Sequence, residues 1–324
     1  MHEQNLEERI ASIASAYRQI QENTHRYIVG DPADLEPILI GIFAGGNVLI
    51  EGVPGTAKTT ISKILAGLIS FDFKRVQCAV DVQPADIIGL RIYDQKTKTF
   101  SLIQGPIFSN FLVIDEINRL TPRTQSAFLE AMGEGQTTID GVTYPLAEPF
   151  FTIATQNPYE LEGTFPLVEA QKDRFMLSTI VRHLDGDSEL KILRRSQAGE
   201  LDWTAYRDQL TPVITTAEIL RMHAAVREVY ADEAVLQYIR DLVIASREHE
   251  NVRLGASSRG SLALLTGAKV RAAFRNRTYI IPDDVKALIL PVLQHRIILE
   301  PEAEIEQVTA GEVVDDIVST VEVP

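Results

Sequence analysis

The chain contains 324 residues, of which 45% are hydrophobic and 23% are charged, a globular composition long enough for two domains. Its formal net charge of −14 argues against nucleic acid or an anionic membrane as the main partner, because binding either one requires a positive surface. The single cysteine, Cys78, cannot form an intrachain disulfide, which suits a reducing compartment. The N-terminus lacks a signal-peptide pattern and no apolar run is long enough to span a bilayer. We therefore expect a cytoplasmic protein without membrane insertion.

The first part of the chain alternates between helix-like and strand-like segments. An amphipathic N-terminal helix is predicted by apolar residues at steps of three and four: Leu6, Ile10, Ile13, Tyr17 and Ile20. Five strand-like runs follow at wide intervals: Asn47–Ile50, Phe73–Cys78, Phe111–Ile114, Phe150–Ala154 and Leu177–Val181. Helical patterns such as Thr59–Leu68 and Arg123–Met132 lie between them. This βαβ series predicts an α/β domain over residues 1–182, with a parallel five-stranded sheet between helices.

After Val181 the pattern becomes mainly helical. Thr215 and Glu218 form a capping-box pattern that predicts the start of a helix ending near Tyr230. Further helices are predicted at Asp185–Ala198, Asp232–Arg247, Ser258–Arg275 and Pro282–Leu293. We therefore expect a small all-α domain over residues 183–299. The acidic, valine-rich segment 300–324 has weak periodicity and is interpreted as a short strand or a tail.

The first strand-like run leads into a glycine-rich turn and then a helix, the context that a phosphate-binding P-loop requires. The candidate ATP-binding residues here are Gly52, Pro54, Gly55, Thr56, Ala57, Lys58, Thr59 and Thr60. Lys58 would reach the β- and γ-phosphates, and the Thr59 hydroxyl would bind Mg²⁺. Ala57 stands where a glycine usually precedes the lysine, which is tolerable if its backbone does not need a positive φ.

Asp115 and Glu116 directly follow another strand-like run. Two carboxylates at the carboxyl end of a buried strand lie where open α/β sheets bind ligands. Asp115 would bind the ATP-associated Mg²⁺ through water, and Glu116 would polarise the attacking water. Alone, the pair could equally be a strand that exits into solvent through charged residues. The P-loop upstream favours the catalytic interpretation.

Asn157 follows the next strand-like run, in the sequence Gln156-Asn157-Pro158. An asparagine at a strand tip is suited to orient the lytic water or to contact the γ-phosphate. An ordinary Asn-Pro turn at a strand end is the alternative.

Together these residues closely resemble the MoxR family of AAA+ ATPases. The resemblance is carried by five segments: Asp115–Arg119, Gln125–Met132, Ala154–Pro158, Glu162–Leu167 and Glu169–Phe175. MoxR-type P-loops resemble Gly-x-Pro-Gly-x-Ala-Lys-Thr, which accounts for Ala57. The similarity extends from about Val29 to Leu293, nearly the whole chain, and implies a P-loop AAA+ core with a small helical lid.

The resemblance also implies a hexameric ring that binds ATP at its subunit interfaces. Arg174 then resembles an arginine finger, which reaches the γ-phosphate held by a neighbouring subunit; a surface ion pair with Asp173 is the alternative. Arg259, at the start of a lid helix, resembles the sensor 2 arginine, and a charge that decorates a helix start is the alternative. Val29 and Gly30 resemble the segment that frames the adenine.

Two insertions resemble those of the same family. Residues 81–108 resemble the helix-2 insert, and residues 135–146 resemble the β-hairpin that precedes sensor 1. The residues themselves predict this hairpin, since strand-like runs flank the tight-turn pair Asp140-Gly141. The resemblance implies that these insertions face a central pore and engage other proteins; the residues alone also allow a purely structural hairpin. Arg119 and Arg123 could be interface residues or solvated charges at a helix start.

The sequence thus predicts an enzyme, a MoxR-type ATPase that converts ATP and water to ADP and phosphate and remodels or activates protein clients. The resemblance implies a chaperone-like role in the maturation of metalloenzymes or complexes, in some cases with a von Willebrand factor A-domain partner. Three alternatives stay open: a magnesium-chelatase-like motor subunit, a nucleic-acid-dependent ring ATPase, and a nucleotide-gated switch that hydrolyses slowly. The acidic charge counts against the nucleic-acid alternative, so we expect no stable nucleic-acid partner.

Overall fold

The computed structural model describes residues 5–29, 32–52, 58–158, 160, 162–181, 183–201 and 209–324. The strands in these ranges are β1 (Val48–Gly52), β2 (Phe73–Gln77), β3 (Gly89–Asp94), β4 (Thr99–Gln104), β5 (Phe111–Asp115), β6 (Gln136–Ile139), β7 (Val142–Pro145), β8 (Phe151–Gln156), β9 (Leu177–Val181), β10 (Val252–Leu254) and β11 (Ile298–Leu299). The α-helices are α1 (Leu6–Tyr27), α2 (Pro32–Ala44), α3 (Lys58–Leu68), α4 (Pro84–Ile88), α5 (Pro122–Glu134), α6 (Glu169–Lys172), α7 (Gly186–Gln197), α8 (Thr216–Glu228), α9 (Glu233–Glu248), α10 (Ser258–Phe274), α11 (Pro282–Leu293), α12 (Pro301–Ile305) and α13 (Ala310–Thr320).

Five of the strands pair in parallel in the order β2-β5-β8-β1-β9. Successive side chains point to opposite faces of the sheet, so Val48 and Ile50 of β1 pack into one buried cluster and Leu49 packs into another. Helices cover both faces as a result. The predicted α/β fold with a parallel five-stranded sheet is confirmed, and the predicted strands differ from the observed ones by at most two residues at either end.

Two antiparallel hairpins lie outside this sheet. The first, β3–β4, occupies most of the segment 81–108, where Gly89 pairs with Gln104. The second, β6–β7, turns at Asp140 and Gly141, whose φ values are 49° and 77°. Positive φ at both central residues is the geometry of a tight hairpin turn, and the Asp-Gly pair accommodates it at low cost.

A bundle of helices from α8 onwards forms the lid. Its first helix begins with the predicted capping box: the Thr215 hydroxyl accepts from the Glu218 N–H at 3.3 Å, and a Glu218 carboxylate oxygen accepts from the Thr215 N–H at 2.7 Å. The observed helix ends at Glu228, two residues before the predicted end. Within the described ranges, no helix combines the length and the apolar character that crossing a bilayer requires.

The lid shares a continuous buried cluster with one face of the sheet and with α1 and α2. Phe274, at the end of α10, is in contact with aromatic rings from both N-terminal helices. Tyr17 of α1 stacks on it at a ring-centroid distance of 3.9 Å, and Phe43 of α2 meets it edge-on at 5.1 Å. The N-terminal helix therefore packs against the lid as well as against the core, although it lies at the other end of the chain.

The C-terminal segment differs from its interpretation as a strand or a tail. Residues 301–305 and 310–320 form the helices α12 and α13. Val313, Val314 and Ile317 bury one face of α13 in the same cluster as the other lid helices. The strand-or-tail interpretation was wrong because these apolar residues recur at helical steps, and the helix places them on one face.

The lid is joined to the sheet by the three residues that follow α11, Gln294, His295 and Arg296. Gln294 Nε2 donates to the carbonyl of Ser178 in β9 at 2.8 Å, and His295 Nε2 lies 3.1 Å from the carbonyl of Phe175. His295 is buried, and its Nε2 must carry the proton in order to donate to that carbonyl. Burial holds the pKa of His295 well below its ordinary value of 6.5, and the charge of Arg296 lowers it further.

We predict that His295 makes the fold sensitive to mild acid. The unfolded chain binds a proton at this residue below pH 6.5, whereas the folded chain does not, so the free energy of unfolding falls as the pH drops below 6.5. One such proton contributes a slope of about 1.4 kcal/mol per pH unit. In His295→Gln the amide can still donate to Phe175 but does not titrate, so urea unfolding between pH 7.5 and 5.5 should show a smaller slope. His223, whose pKa burial also lowers, accounts for part of the slope that remains. An unchanged slope in His295→Gln would contradict the assignment.

Candidate active site

The carboxyl ends of β1, β8 and β5 lie side by side at one edge of the sheet, because these strands are parallel neighbours. Lys58 begins α3 after β1, Asp115 is the last residue of β5, and Asn157 follows the last residue of β8. Ligands of open α/β sheets bind in the crevice outside such strand ends. This edge is therefore the candidate active site.

Several predicted nucleotide-binding residues fall outside the described ranges: Gly30, Pro54, Gly55, Thr56 and Ala57. Val29 is partly buried and lies two residues beyond the end of α1. Gly52 ends β1, and Thr60 lies in the first turn of α3. The roles of all these residues in nucleotide binding stay predictions.

Lys58 and Thr59, in the first turn of α3, face Asp115 and Glu116 at the carboxyl end of β5. Lys58 Nζ donates to the Gly52 carbonyl at 2.8 Å, and Thr59 Oγ1 donates to Asp115 Oδ2 at 3.2 Å. Partial burial lowers the pKa of Lys58, while the charges of Asp115 and Glu116 act to raise it. The structure thus brings a cationic group, a hydroxyl and two carboxylates together, as the sequence predicts for a site that binds phosphate and Mg²⁺.

Asp115 is buried and is surrounded by hydrogen-bond donors. Thr155 Oγ1 donates to its Oδ1 at 2.6 Å, and Arg75 donates to its Oδ2 at 2.6 Å through Nη2. Burial by itself raises the pKa of Asp115, but the hydrogen bonds from Thr155, Arg75 and Thr59 and the charge of Arg75 outweigh burial and lower it. Asp115 is therefore held as a carboxylate, the form that binds a metal ion.

Glu116 adopts the left-handed conformation, with φ 63° and ψ 53°. A non-glycine residue there is strained, and such strain concentrates at functional sites. Its N–H donates to Thr155 Oγ1 at 2.9 Å, and its Oε2 accepts from Gln77 Nε2 at 3.1 Å and pairs with Arg119 Nε at 3.0 Å. These contacts aim the side chain across the strand ends. They also assign Arg119, which pairs with Glu160 as well, to the surroundings of the site.

Asn157 lies beside the same edge. Its carbonyl accepts from Asn118 Nδ2 at 3.3 Å, which ties the end of β8 to the turn after β5. In the sheet register, Gln156 is the partner of Glu51 in β1. In the sheet, β8 lies between β1 and β5. Asn157 follows β8, so it lies between the carboxyl end of β1 and the carboxyl end of β5, where Asp115 and Glu116 are.

The two candidate arginines lie together at the other end of the sheet. Arg174 precedes β9, whose first residue, Leu177, pairs with Val48 at the amino end of β1. The five residues from Val48 to Gly52 span about 13 Å, so the backbone of Arg174 and Gly52, the last residue of β1, lie at opposite ends of the sheet. Arg174 Nη1 donates to the Leu129 carbonyl at 2.8 Å, and its side chain is exposed.

Arg259 is more than half exposed, and its Nη1 lies 3.8 Å from Asp173 Oδ2. Asp173 directly precedes Arg174 in the chain, so the finger candidate and the sensor 2 candidate flank one carboxylate. The structure therefore divides the predicted site residues into two groups: Lys58, Thr59, Asp115, Glu116 and Asn157 at one edge, and Arg174 and Arg259 at the other.

Comparison with known proteins identifies the family of the chain. Residues 47–177 match the model of the ATPase family associated with various cellular activities (AAA), and residues 244–317 match that of the AAA lid domain. The chain is 42% identical over 94% of its length to the uncharacterized protein YeaC of Bacillus subtilis, and it covers 93% of that protein. It is 37% identical over 92% of its length to chaperone MoxR1 of Mycobacterium tuberculosis and covers 80% of it.

The chain belongs to the MoxR family of AAA+ ATPases. A solved structure of a protein assigned as an ATPase, from Cytophaga hutchinsonii, superposes with a TM-score of 0.89 at 38% identity, with 98% of both chains covered. The similarity therefore extends over the whole MoxR-type fold, lid included.

Sequence reasoning missed three residues of the site in this MoxR-family chain: Arg75, Gln77 and Thr155. Arg75 and Gln77 alternate with the buried Val76 on β2, so the sequence predicts that both lie on one face of that strand. The sequence does not predict that β5 is the strand beside β2. Thr155 lies within a motif that resembles the family, yet its partners depend on β8 lying next to β5. Each contact crosses between strands that are distant in sequence.

We predict that Thr155→Val destabilises the fold whereas Thr152→Val, on the same strand, does not. Thr155 bridges Asp115 and the Glu116 N–H, and its loss leaves two buried polar groups short of a partner, which costs about 1–3 kcal/mol. Thr152 is also buried, but its hydroxyl has no hydrogen-bond partner within the described ranges, so a methyl group should be neutral or stabilising there. Urea unfolding of both variants without nucleotide compares them. Equal effects would contradict the bridging role of Thr155.

Proposed function

We propose that this MoxR-family protein hydrolyses ATP to ADP and phosphate at the interfaces of a ring, where a neighbouring subunit completes each site. The observation that carries the proposal is the separation of the predicted residues. Lys58, Thr59, Asp115 and Glu116 meet at one edge of the sheet, and Arg174 lies at the other. A subunit built in this way presents half of a site on each of two sides.

The phosphate-binding part of the proposal rests on Lys58 and on the amino end of α3. The N-terminus of a helix favours anions, and α3 begins at Lys58, directly after the predicted P-loop. Lys58 Nζ is held near the Gly52 carbonyl and close to two carboxylates. We propose that it binds the β- and γ-phosphates of ATP, as the lysine of a P-loop does.

The oxygens available beside Lys58 fit Mg²⁺. Thr59 Oγ1 and Asp115 Oδ2 are 3.2 Å apart, so both can face one small cation, and Mg²⁺ prefers a few oxygen ligands together with water and phosphate. When bound there, Mg²⁺ would neutralise negative charge on the phosphates. Arg75 donates to the same Asp115 oxygen, so Arg75 shares this carboxylate with the ion.

We propose that Glu116 is the general base. As water attacks the γ-phosphorus and the bond to the bridging β–γ oxygen breaks, the Glu116 carboxylate accepts the proton of that water. Gln77 and Arg119 hold Glu116 in place from two sides. Asn157, at the neighbouring strand end, is suited to orient the water.

The arginines act on a neighbouring site in this proposal. Arg174 lies at the amino end of β9, on the far side of the sheet from its own P-loop, and its guanidinium is exposed. In a ring, that edge meets the ATP of the next subunit, and a cation there stabilises the charge of the transferring phosphate. Arg259 lies beside Asp173, the residue that precedes Arg174 in the chain. We therefore propose that Arg259 contacts the same ATP of the neighbouring subunit.

The client of the ATPase is proposed to be a protein. The β3–β4 hairpin exposes a set of large apolar side chains: Leu90, Ile92, Tyr93, Phe100 and Ile103. Exposed apolar groups of this kind favour contact with other proteins. One relative is named a chaperone, which supports a remodelling role. From the family resemblance we further propose that the protein acts in the cytoplasm as a hexameric ring, with a von Willebrand factor A-domain protein as a candidate partner.

We predict that Glu116→Gln binds ATP but hydrolyses it far more slowly. The amide keeps the shape and the contacts of the side chain but cannot accept the proton of the attacking water, an effect worth about 10²–10⁴-fold. Single-turnover hydrolysis and ATP affinity are the measurements. Glu160→Gln is the matched control, because Glu160 pairs with the same Arg119, and it should hydrolyse ATP at close to the wild-type rate. Wild-type turnover in Glu116→Gln would remove Glu116 from the mechanism.

We predict that Arg174→Ala binds ATP normally and loses turnover by about 10³, the low end for an arginine finger. Mixing it with Lys58→Ala subunits should restore part of the activity. In a mixed ring, the intact P-loop of an Arg174→Ala subunit faces the intact finger of a Lys58→Ala neighbour, whereas each parent alone lacks half of every site.

The mixture is assayed at concentrations at which sedimentation shows co-assembly. Arg240→Ala, which removes an exposed lid arginine paired only with its neighbour Asp241 among the contacts described, is the control for loss of a surface charge. A finger that acts within its own subunit gives no rescue at any mixing ratio, and that result would overturn the interfacial site.

A further inference from the structure

Arg296 is a buried cation at the joint between the lid and the sheet, and its side chain is only 2% exposed. It follows α11 and lies beneath the segment that carries Arg174. A buried guanidinium is held only where its donors meet acceptors in the fixed geometry of the fork, because an unpaired buried charge is strongly unfavourable. The groups that accept hydrogen bonds from Arg296 therefore show which segments of the chain it holds in place.

Those acceptors lie on both sides of Arg174. Arg296 Nε donates to Asp173 Oδ1 at 2.8 Å, Nη2 donates to the Phe175 carbonyl at 2.5 Å, and Nη1 donates to the Met176 carbonyl at 3.1 Å. A further bond from Nη1 to the Val292 carbonyl, at 2.5 Å, anchors the guanidinium to the last turn of α11. One side chain of the lid, Arg296, thus binds residues on both sides of Arg174 in the chain.

The same contacts reach the second arginine. Asp173 uses Oδ1 for Arg296, and its Oδ2 accepts from Ser257 Oγ at 2.9 Å and lies 3.8 Å from Arg259 Nη1. Ser257 is the N-cap of α10, and Arg259 is the second residue of that helix. The Asp173 carboxylate, which Arg296 holds, therefore connects the segment that carries Arg174 to the start of α10.

We propose that Arg296 is a positioning residue for the arginine finger: it fixes Arg174 and Arg259 as one unit that moves with the lid. The inference rests on the proposed function, since it assumes that these arginines serve the ATP of a neighbouring subunit. Its consequence is that the orientation of one subunit's lid determines turnover at the next subunit's ATP. Arg296 itself touches neither ATP nor the reacting water.

The test uses Arg296→Ala in the full-length chain. Without the hydrogen bonds of Arg296, Arg174 should be displaced. A misplacement of about 1 Å lowers the rate roughly 10²-fold, so turnover should fall by about that factor. ATP affinity should stay within about twofold, because Lys58 and Thr59 lie at the other edge of the sheet. Arg240→Ala again controls for removal of a lid arginine and should keep wild-type turnover.

Mixed rings separate positioning from general damage. With Lys58→Ala subunits, Arg296→Ala should regain activity, because its intact P-loop meets a correctly held finger. With Arg174→Ala subunits it should gain none, because neither chain then supplies a working finger. If Arg296 merely supported its own subunit's ATP site, the pattern would reverse: the Arg174→Ala mixture would gain activity and the Lys58→Ala mixture would not.

The reference mixture of Lys58→Ala with Arg174→Ala keeps the two hypotheses apart. No rescue in this reference overturns the interfacial site and the inference with it. Rescue in the reference, combined with the reversed pattern or with equal behaviour of the two Arg296→Ala mixtures, overturns the inference alone. If Arg296→Ala fails to fold, Arg296→Lys is used in the same mixtures. Lysine keeps the charge but lacks the planar fork, so it should show the same pattern with a smaller loss of turnover.

Discussion

All five strands of the central sheet run in the same direction, so their carboxyl ends share one edge and their amino ends share the other. This constraint places the groups that can bind phosphate and Mg²⁺ at one side of the subunit and the segment before β9 at the opposite side. The backbone of a residue that precedes a strand is separated by the length of that strand from a residue that follows the neighbouring strand. The parallel sheet thus gives the proposed division of the ATP site between two subunits a direct geometric basis.

At the carboxyl edge, the two acidic residues depend on hydrogen-bond partners from both neighbouring strands. β5 lies between β2 and β8, and Asp115 at its end accepts from Arg75 on one side and from Thr155 on the other. Glu116 is held by the same two strands: its Oε2 accepts from Gln77 Nε2, and its backbone N–H donates to Thr155 Oγ1. The ionised state of Asp115 and the orientation of both side chains therefore depend on three strands together, and the same hydrogen bonds that stabilise the fold prepare the site.

The features of the fold that could be predicted from the sequence are those that depend on residues close together in the chain. The turn at Asp140-Gly141 and the capping box of Thr215 and Glu218 depend on residues only a few positions apart. Thr309 and Glu312 form the same capping box at the start of α13, a signal that would have corrected the tail interpretation. The contacts of Thr155 and Arg296 were not readable, because they depend on which strands pair and on how the lid packs.

The buried cluster that runs from one face of the sheet through α1 and α2 into the lid has a consequence for cooperativity. Two domains with separate cores can unfold one after the other, each with its own transition. Here Phe274 of the lid lies against Tyr17 and Phe43, from helices that begin the chain, so the lid cannot lose its packing while that face of the sheet keeps its own. The chain reads as two domains along its length, but the packing makes it one cooperative unit.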